Sequence, residues 1–560
     1  MSLAVIPLMA KLAPRLGMID IPDARKVHAA PIPRVGGWGI IIGSMVPILI
    51  LTRMDVFLAT FVFGAFTLLM FGALDDSKEM GHYTKFIGQF LAVVPVVTLG
   101  SLTIVNFPFF NGSELPALIG IPFTVIALVG MINAANHSDG LDGLAGGETI
   151  ISFGAFALLS YLSNAHLGIV ISISALGGIL GFLRYNTHPA TVFMGDGGSQ
   201  FLGFSLGVLA VFVTQIVDTS LSPSIVLLLL GLPVVDILAV LWKRATSGNN
   251  LFLASRNHIH HRLLDLGFSH KESVAIIYVV HALLVFSGIW LRHEPDWLIV
   301  MVYLAGVCAV FWGLSFAEKR QAARVQIVSS DTTAPEEEAP TSAPKEKENM
   351  APDALLVTFP RRVLESTVPF YLIAVSLWVN DVPRDFGIAA AIIAMAILLQ
   401  GWGLLPMARQ MARPTIYVAT VFVIYLCIND RPSWGKWWLP YLEIAFYGLV
   451  ALSVAAAVKF SPKRRNQEFH VTAFDYLLVL AVIGALPFIQ ATQEGAFNIS
   501  LFVVVLGVMI YGCELLIVER RERSSWLSRA ALISLGLIAA RGLEMVEYEL
   551  RLKLPRIDFW

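Results

Sequence analysis

The chain has 560 residues, 56% of them hydrophobic, with 39 Lys and Arg against 40 Asp and Glu. Charged residues make up 14%, well below the roughly 25% of soluble domains, and mean hydropathy is +0.73. Apolar runs of about 20 residues, long enough to cross a hydrocarbon layer of about 30 Å, recur from end to end. These features exclude an ordinary water-soluble fold and predict an all-α, polytopic transmembrane helical bundle in a lipid bilayer. The near-zero net charge gives no reason to expect a nucleic-acid partner.

In chain order, the first apolar stretch, "MSLAVIPLMAKLAPRLG", has neither a basic start nor a small-residue cleavage site, so no cleavable signal is expected. It is short for a full span, and the natural start is expected upstream or the first helix truncated. Helical spans follow at 35–52, 54–74, 85–106, 117–135, 143–163, 165–185, 199–218, 222–242, 273–292 and 296–316. Together these predict about 10–11 helices in residues 1–317. Residues 318–353 are rich in Ala, Pro, Glu and Lys and read as a disordered cytoplasmic linker. A second membrane region, 354–560, holds spans near 366–380, 386–406, 415–428, 439–458, 473–490, 497–518 and 526–543, about seven helices. The two halves show no internal repeat.

Lysine and arginine concentrate in "KLAPRLGMIDIPDARKVHAAPIPR", "KRATSGNNLFLASRNHIHHR" and "EKRQAAR", which are therefore expected on the cytoplasmic side. Alternation then places "NFPFFNGSELP", without Lys or Arg, outside. The three cysteines, Cys308, Cys427 and Cys513, each lie in an apolar run and read as packed residues rather than a disulfide or metal set.

Polar groups gather at four places: "FGALDDSKE", "NAANHSDGLDGLAGG", "RYNTHPATVFMGDGGS" and "RNHIHHRLLDLGFSH". Alternation puts all four on one side, which separates a site from scattered caps. Asp75 and Asp76 alone could equally mark an interface. Asn133 and Asn136, three apart, share a helix face, and Asp139 and Asp142 are interleaved with Gly140 and Gly143, which loosen the helix. Asp196 sits in a glycine turn ahead of a span, where backbone N–H groups can meet phosphate oxygens. Carboxylates and amide oxygens are hard ligands suited to Mg²⁺ or Mn²⁺. His258, His260 and His261, flanked by Arg256 and Arg262, have no cysteine partners for a zinc site. Diphosphate binding suits such a cationic loop, with solvated loop histidines as the alternative. Together these groups point to phosphoryl chemistry between a soluble nucleotide diphosphate and a lipid phosphate.

In this order, "RKVHAAPIPRVGG", the Asp75–Asp76 pair, "NAANHSDGLDGLAGG", "FMGDGGS" and "HIHHRLLDLGFS" resemble the polyprenyl-phosphate N-acetylhexosamine-1-phosphate transferases, the MraY and WecA types, over residues 1 to about 316. The resemblance implies Mg²⁺-dependent transfer of sugar 1-phosphate from a UDP-N-acetylhexosamine to undecaprenyl phosphate, releasing UMP. It carries this implication to the bacterial inner membrane with the site on the cytoplasmic face; a homodimer is one candidate assembly, and the sequence does not set the oligomeric state. Asp196 resembles the metal-binding aspartate and Phe193 the aromatic that stacks on uracil. Asp75 resembles the base for the lipid phosphate, beside Asp76. Asn133, Asn136, Asp139, Asp142 and Asn186 resemble residues lining the site. His258, His260 and His261, with Arg262, resemble the diphosphate-side motif. "HIHHR" is similar to the UDP-GlcNAc branch rather than the phospho-MurNAc-pentapeptide branch.

An ion-coupled transporter would also place acids in a helical bundle, but near the midplane rather than at span ends. Asp236 is the one acid placed that way, and it either serves the site or pairs inside the bundle. Residues 354–560 carry no motif for chemistry. Glu514, Arg541 and Glu544 are candidates for pairing there, and Trp434, Trp437 and Trp438 for an interfacial belt. A binding or scaffolding module is the preferred reading, with a second enzyme or a flippase-like part as the alternatives.

Overall fold

The computed structural model describes residues 1–22, 31–78, 80–109, 114–246, 258–331, 354–379, 381–401, 408–429, 439–460, 494–519 and 525–553. It is all-α apart from a two-residue ladder, and nine described helices are long and apolar enough to cross a membrane. The chain divides into two compact units, one containing the described residues through Asp331 and the other those from Ala354 onward.

The first unit begins with α1 (Ser2–Leu16), then β1 (Ile19–Asp20) and β2 (Ile32–Pro33), paired antiparallel with Ile19 opposite Pro33. There follow α2 (Gly36–Leu51), α3 (Val56–Lys78), α4 (His82–Thr98), α5 (Ala117–Ser138), α6 (Leu144–Leu162) and α7 (His166–Asn186). Next are α8 (Asp196–Val211), continued by a π-helical turn over Phe212–Val217, and α9 (Ile225–Thr246). The short α10 (Ile259–Asp265), α11 (His270–Trp290) and α12 (Asp296–Asp331) complete it.

α8 is the central helix: 83% of its span is buried, against 17% for α12. Small residues allow this. A Cβ on Gly72 of α3 would fall 2.2 Å from the Cα of Gly197, so α3 and the start of α8 touch backbone to backbone. Farther along, Phe61 stacks on Phe204 with centroids 5.5 Å apart, filling the wider gap between the same helices. Substituting a larger residue at Gly72 would force the start of α8 outward.

Two sequence expectations change here. The span expected at 85–106 ends at Thr98, and the next residues run outside any helix. Ile104 N–H donates to Thr124 Oγ1 at 2.8 Å, while Val105 and Asn106 N–H donate to Gln215 Oε1 at 3.0 and 2.8 Å. "TIVNFPF" is apolar because it packs along the bundle end, not because it crosses a membrane. The linker expected from residue 318 also begins later: α12 runs to Asp331. "AEKRQAARVQ" is rich in good helix formers, so the helix continues past its apolar part. The remainder of that linker, 332–353, lies outside the described residues.

The second unit consists of α13 (Ala354–Trp378), α14 (Arg384–Gly401), α15 (Ala408–Asn429), α16 (Leu439–Phe460), α17 (Glu494–Glu519) and α18 (Ser525–Lys553). Leu364, Leu372, Ile424, Val450, Met509 and Leu535 form its core. α14 and α18 cross at Gly387 and Gly542, where a Cβ on Gly387 would lie 2.5 Å from the Gly542 Cα. Arg541 donates to the backbone carbonyl of Leu377 at 2.5 Å, and Glu544 is exposed. The span at 473–490, Trp434, Trp437 and Trp438 lie outside the described residues, as does the side chain of Glu514.

Candidate functional site

Helix direction brings the end of α3, the start of α4, the end of α5, the start of α6, the end of α7 and the start of α8 to one end of the first unit. The end of α9, α10 and the start of α11 join them. All four polar stretches recognised in the sequence meet there.

The acidic centre is built on three helices. Lys85 Nζ on α4 lies 2.6 Å from Asp75 Oδ2 on α3 and 2.8 Å from Asp196 Oδ2 on α8. Asp75 is 7% exposed, and its other oxygen accepts Met80 N–H at 2.6 Å. Asn136 Nδ2 on α5 donates to Asp196 Oδ1 at 3.2 Å and to Ser199 Oγ at 2.8 Å. Asp76 acts differently, through the backbone. Its Oδ1 accepts the Asp196 N–H at 3.2 Å, so it holds the turn that presents Asp196. That turn needs a glycine at 195, where φ is +74° and a Cβ would lie 2.5 Å from Asp76 Oδ2. Asn133, one turn before Asn136, exchanges amide hydrogen bonds with Gln89 of α4 at 2.8 and 3.3 Å.

A histidine face adjoins this centre. His258 caps α10, with its Nδ1 2.8 Å from Asp236 Oδ2 of α9, and the next N–H, of Ile259, donates to Asp236 Oδ1 at 2.9 Å. Asp236, open to two readings in the sequence, therefore orients this histidine. His258 stacks with His137 of α5 at 5.8 Å and with His260 at 5.6 Å, and His260 adjoins His261 at 4.3 Å. His260 is buried against Gly140, where a Cβ would lie 2.3 Å from its Nε2. Burial, with the neighbouring His261, pushes the His260 imidazole down to about 3, so it is neutral near pH 7. Asp139 is moved the other way, up to about 7, first by desolvation and then by the negative charges of Asp196 and Asp142.

Three expected site residues are engaged elsewhere. Asn186 is buried: its Oδ1 accepts Gly143 N–H at 2.8 Å and its Nδ2 donates to Val192 O at 3.0 Å. It ties the α5–α6 turn to the α7–α8 loop rather than lining an open site. Arg262 points to α12, donating to both Glu318 oxygens at 2.7 and 3.0 Å and lying over Phe311 at 5.8 Å. It anchors the histidine helix. Asp142 accepts from Ala190 N–H at 3.1 Å and lies 2.8 Å from His188 Nδ1. Phe193 is half-buried, with its backbone joined to Pro33 and Gly36. Arg256 lies outside the described residues.

Lys85, Gln89, His137, His188 and His270 join the site without having been singled out in the sequence. Lys85 carried a signal, because a lone lysine in an apolar run is costly unless paired. The others gave none above ordinary polar caps.

A cavity of about 1190 Å³ opens beside the acidic centre, between α4, α5 and α9. Phe86, Phe90, Ile126, Leu230 and Leu238 line its length, and Asn133, His137 and Arg244 stand at its polar end. At the far end Phe107 and Phe109 close over it, held by Gln215 and by Asp296, which accepts Phe109 N–H at 3.1 Å. Its shape and lining suit a long apolar chain whose headgroup meets the acidic centre.

The fold and site define a multi-pass helical membrane protein with paired carboxylates and histidines at the mouth of an apolar groove. Residues 58–214 match the family model described as glycosyl transferase family 4. The chain is 33% identical over 306 residues to a probable undecaprenyl-phosphate N-acetylglucosaminyl 1-phosphate transferase of Bacillus subtilis, covering 54% of this chain and 84% of that protein. It is 32% identical over 308 residues to a decaprenyl-phosphate N-acetylglucosaminephosphotransferase of Mycobacterium tuberculosis, covering 50% and 76%. An undecaprenyl-phosphate alpha-N-acetylglucosaminyl 1-phosphate transferase of Escherichia coli K12 is 27% identical over 303 residues, covering 52% and 83%. The chain belongs to glycosyl transferase family 4.

Proposed function

We propose that the chain transfers N-acetylglucosamine 1-phosphate from UDP-GlcNAc to undecaprenyl phosphate, releasing UMP, and so starts a cell-surface polysaccharide. The observation that carries this reading is the groove: an apolar channel that ends at Asn133, His137 and Arg244, beside Asp75, Lys85 and Asp196. A polyprenyl chain fits the first part and its phosphate the second. The names of the related proteins support the lipid acceptor and the sugar. The basic connections support a cytoplasmic site in a bacterial inner membrane.

A phosphate monoester is already partly dianionic near pH 7, its second pKa being about 6. Bringing it to a diphosphate thus asks more for charge compensation than for a strong base. An oxygen of the lipid phosphate attacks the sugar-bearing phosphorus, a new P–O bond forms, and the bond to UMP breaks with its electrons going to the UMP phosphate. Asp75 orients the acceptor and takes its proton where one remains. Arg244 and Lys85 supply positive charge at the groove mouth. His258, aligned by Asp236, and neutral His260 face the donor.

The donor set fits Mg²⁺ or Mn²⁺. Two carboxylates from separate helices already converge on one cationic group, the Lys85 ammonium, and oxygen ligands suit a hard cation. Asp196, with Asp75 and Asn136, would hold it. When bound, it neutralises diphosphate charge and stabilises the leaving phosphate.

The test is direct. Purified full-length protein is incubated with undecaprenyl phosphate and radiolabelled UDP-GlcNAc or UDP-GalNAc, and the lipid product and UMP are resolved. Labelled lipid with stoichiometric UMP from UDP-GlcNAc is expected. Product from UDP-GalNAc alone would overturn the sugar, and no lipid product from either would overturn the reaction. For sidedness, Ser77→Cys is expected to label from the cytoplasm and Ser220→Cys from outside; labelling from the same side would refute the orientation.

A further inference from the structure

The interior of the first bundle holds two buried ionisable groups that the reaction leaves unused, Glu148 of α6 and His281 of α11. They are 4% and 1% exposed, and both line a small void enclosed by α5, α6, α8, α9 and α11. Its other polar walls are Ser138, Thr149 and Ser152, and no lysine or arginine lines it.

Proline in α9 explains one side of this arrangement. Pro233 has no N–H, so the helix gives the Leu229 carbonyl no partner four residues on. Ser152 supplies one, its Oγ donating to Leu229 O at 2.8 Å. A hydroxyl has a single proton, so Ser152 Oγ accepts from His281 Nε2, 2.9 Å away. The neutral ring then carries its lone pair on Nδ1, which is buried and has no hydrogen-bond partner among the described residues. The Glu148 backbone carbonyl near that ring is itself an acceptor and cannot serve a lone pair. Toward α5, Glu148 Oε2 accepts from the Ser138 hydroxyl. Ionising both groups would bury two charges and ionising one would bury a charge alone, so the neutral pair is the least costly state.

We propose that protonated Glu148 and neutral His281 are joined by one water held in this void, and that the resulting chain positions the donor side of the site. The void has about 10 Å³ of room for a water centre, enough for one molecule. The water accepts from the Glu148 carboxyl O–H and donates to His281 Nδ1. Its second O–H meets Thr149 Oγ1, whose own proton goes to Ala145 O at 2.8 Å. About three hydrogen bonds are usual for a buried water. Every donor then points the same way, from Ser138 through Glu148, water, His281 and Ser152 to Leu229, and each bond polarises the next.

This role rests on the reading of the site as one that takes a UDP-sugar. Ser138, at one end of the chain, directly precedes Asp139. At the other end, Pro233 lies one turn before Asp236, the acid that orients His258. Glu148 and His281 are enclosed in the bundle, so they act through those groups rather than on substrate.

The experiment uses the full chain purified in detergent. Near pH 7, the infrared difference between wild type and Glu148→Gln should show loss of a protonated-carboxyl C=O band; loss of a carboxylate band overturns the proposal. Glutamine accepts from Ser138 and donates to water as the protonated acid does, so Glu148→Gln should keep both KM values within about twofold of wild type. Glu148→Leu and His281→Leu break the chain. Each should raise the KM for UDP-GlcNAc about tenfold and leave the KM for undecaprenyl phosphate unchanged, because the chain ends behind donor-side groups. Each should also lower the thermal midpoint, and the double variant should lower it by less than the two losses added, since both remove the same bridge. Strict additivity, a Glu148→Gln protein as impaired as Glu148→Leu, or an equal rise in both KM values overturns the proposal. The infrared and glutamine readouts stand even where the leucine variants fail to fold. A wild type that makes no lipid product sinks the UDP-sugar reading instead, and the infrared and melting results then decide the chain by themselves.

Discussion

The two ends of the first bundle are both rich in aspartate, yet they use it in opposite ways. At the far end, Asp296 accepts from Ser222 Oγ and from the N–H groups of Phe109 and Ser224, and Asp218 accepts from the hydroxyls of Ser163 and Ser220. Each carboxylate there caps neutral donors and closes a loop. At the other end, Asp75 and Asp196 converge on one ammonium, with Asp76 and Asp139 close by. Negative charge exceeds what the local backbone can use. The number of acids does not mark a site; acids held against each other do, because that arrangement is costly unless a cation or substrate completes it.

The sharpest way to break this comparison is one matched pair of substitutions. Asp196→Asn keeps the shape and removes the charge at the crowded end, and turnover should fall by about 10²–10⁴-fold. Asp75→Asn should cost less, because a dianionic acceptor phosphate needs little help in losing a proton. Asp296→Asn makes the same chemical change at the far end. It should lower the thermal midpoint by a few degrees, consistent with about 1–2 kcal/mol for a weakened set of charged hydrogen bonds, with turnover within about twofold of wild type. Parallel kinetics and melting curves on the three variants decide it. Equal losses of turnover at both ends would remove the distinction.

Lys85 comes next. If its ammonium holds the place of the divalent ion, Lys85→Gln removes a competitor as well as a positive charge. The half-saturating Mg²⁺ concentration should fall, while turnover at saturating Mg²⁺ drops by about tenfold or more, as expected for a positioned charge. A Mg²⁺ titration of initial rates separates the two effects. An unchanged Mg²⁺ requirement would mean that Lys85 and the metal do not share the carboxylates.

A smaller effect is expected where the site meets the rest of the bundle. Glu318→Gln removes the charged partner of Arg262, which carries the histidine helix onto α12. Glu318 is 42% exposed, so the pair is worth at most about 1 kcal/mol, and turnover should change by about threefold. A loss as large as that of Asp196→Asn would place Arg262 on the substrate instead.

The sequence made the helical class readable because transmembrane runs need about 20 apolar residues each and leave little ambiguity. It also made the acidic centre readable, since Asp75, Asn136 and Asp196 stand where apolar runs stop. It misread residues 99–106 because an apolar segment running outside any helix and an apolar helix crossing a bilayer have the same composition. Arg262 and Asn186 were placed at the site by the family resemblance, which does not say what else each side chain touches. Their actual partners, Glu318 and the Gly143 and Val192 backbone, are 56, 43 and 6 residues away, and no local pattern reveals the first two. His188 and His270 gave no signal, because the acid that joins them lies 46 and 128 residues distant.

The smallest effect is also the one that separates two buried groups, Asp139 and the His260 ring packed against the neighbouring Gly140. Asp139 is held up at about 7, above its unfolded value of about 4, so the folded chain binds more protons than the unfolded chain between those values. Its contribution therefore favours folding at the acid end and is lost as pH rises from about 4 to 7. His260 is held down at about 3 against about 6.5 when unfolded. There the unfolded chain binds more protons, so its contribution grows as pH rises from about 3 to 6.5. The two slopes oppose each other and nearly cancel in the wild type across about pH 4–6.5. Substitution uncovers each in turn. Asp139→Asn should leave a thermal midpoint that climbs with pH through that window, and His260→Gln one that declines. The comparison is between slopes, so a uniform loss of stability in either variant does not affect it. Flat, parallel profiles for both variants would show that the turn carrying Asp139 and Gly140 is open to water, and that His260 is not enclosed against it.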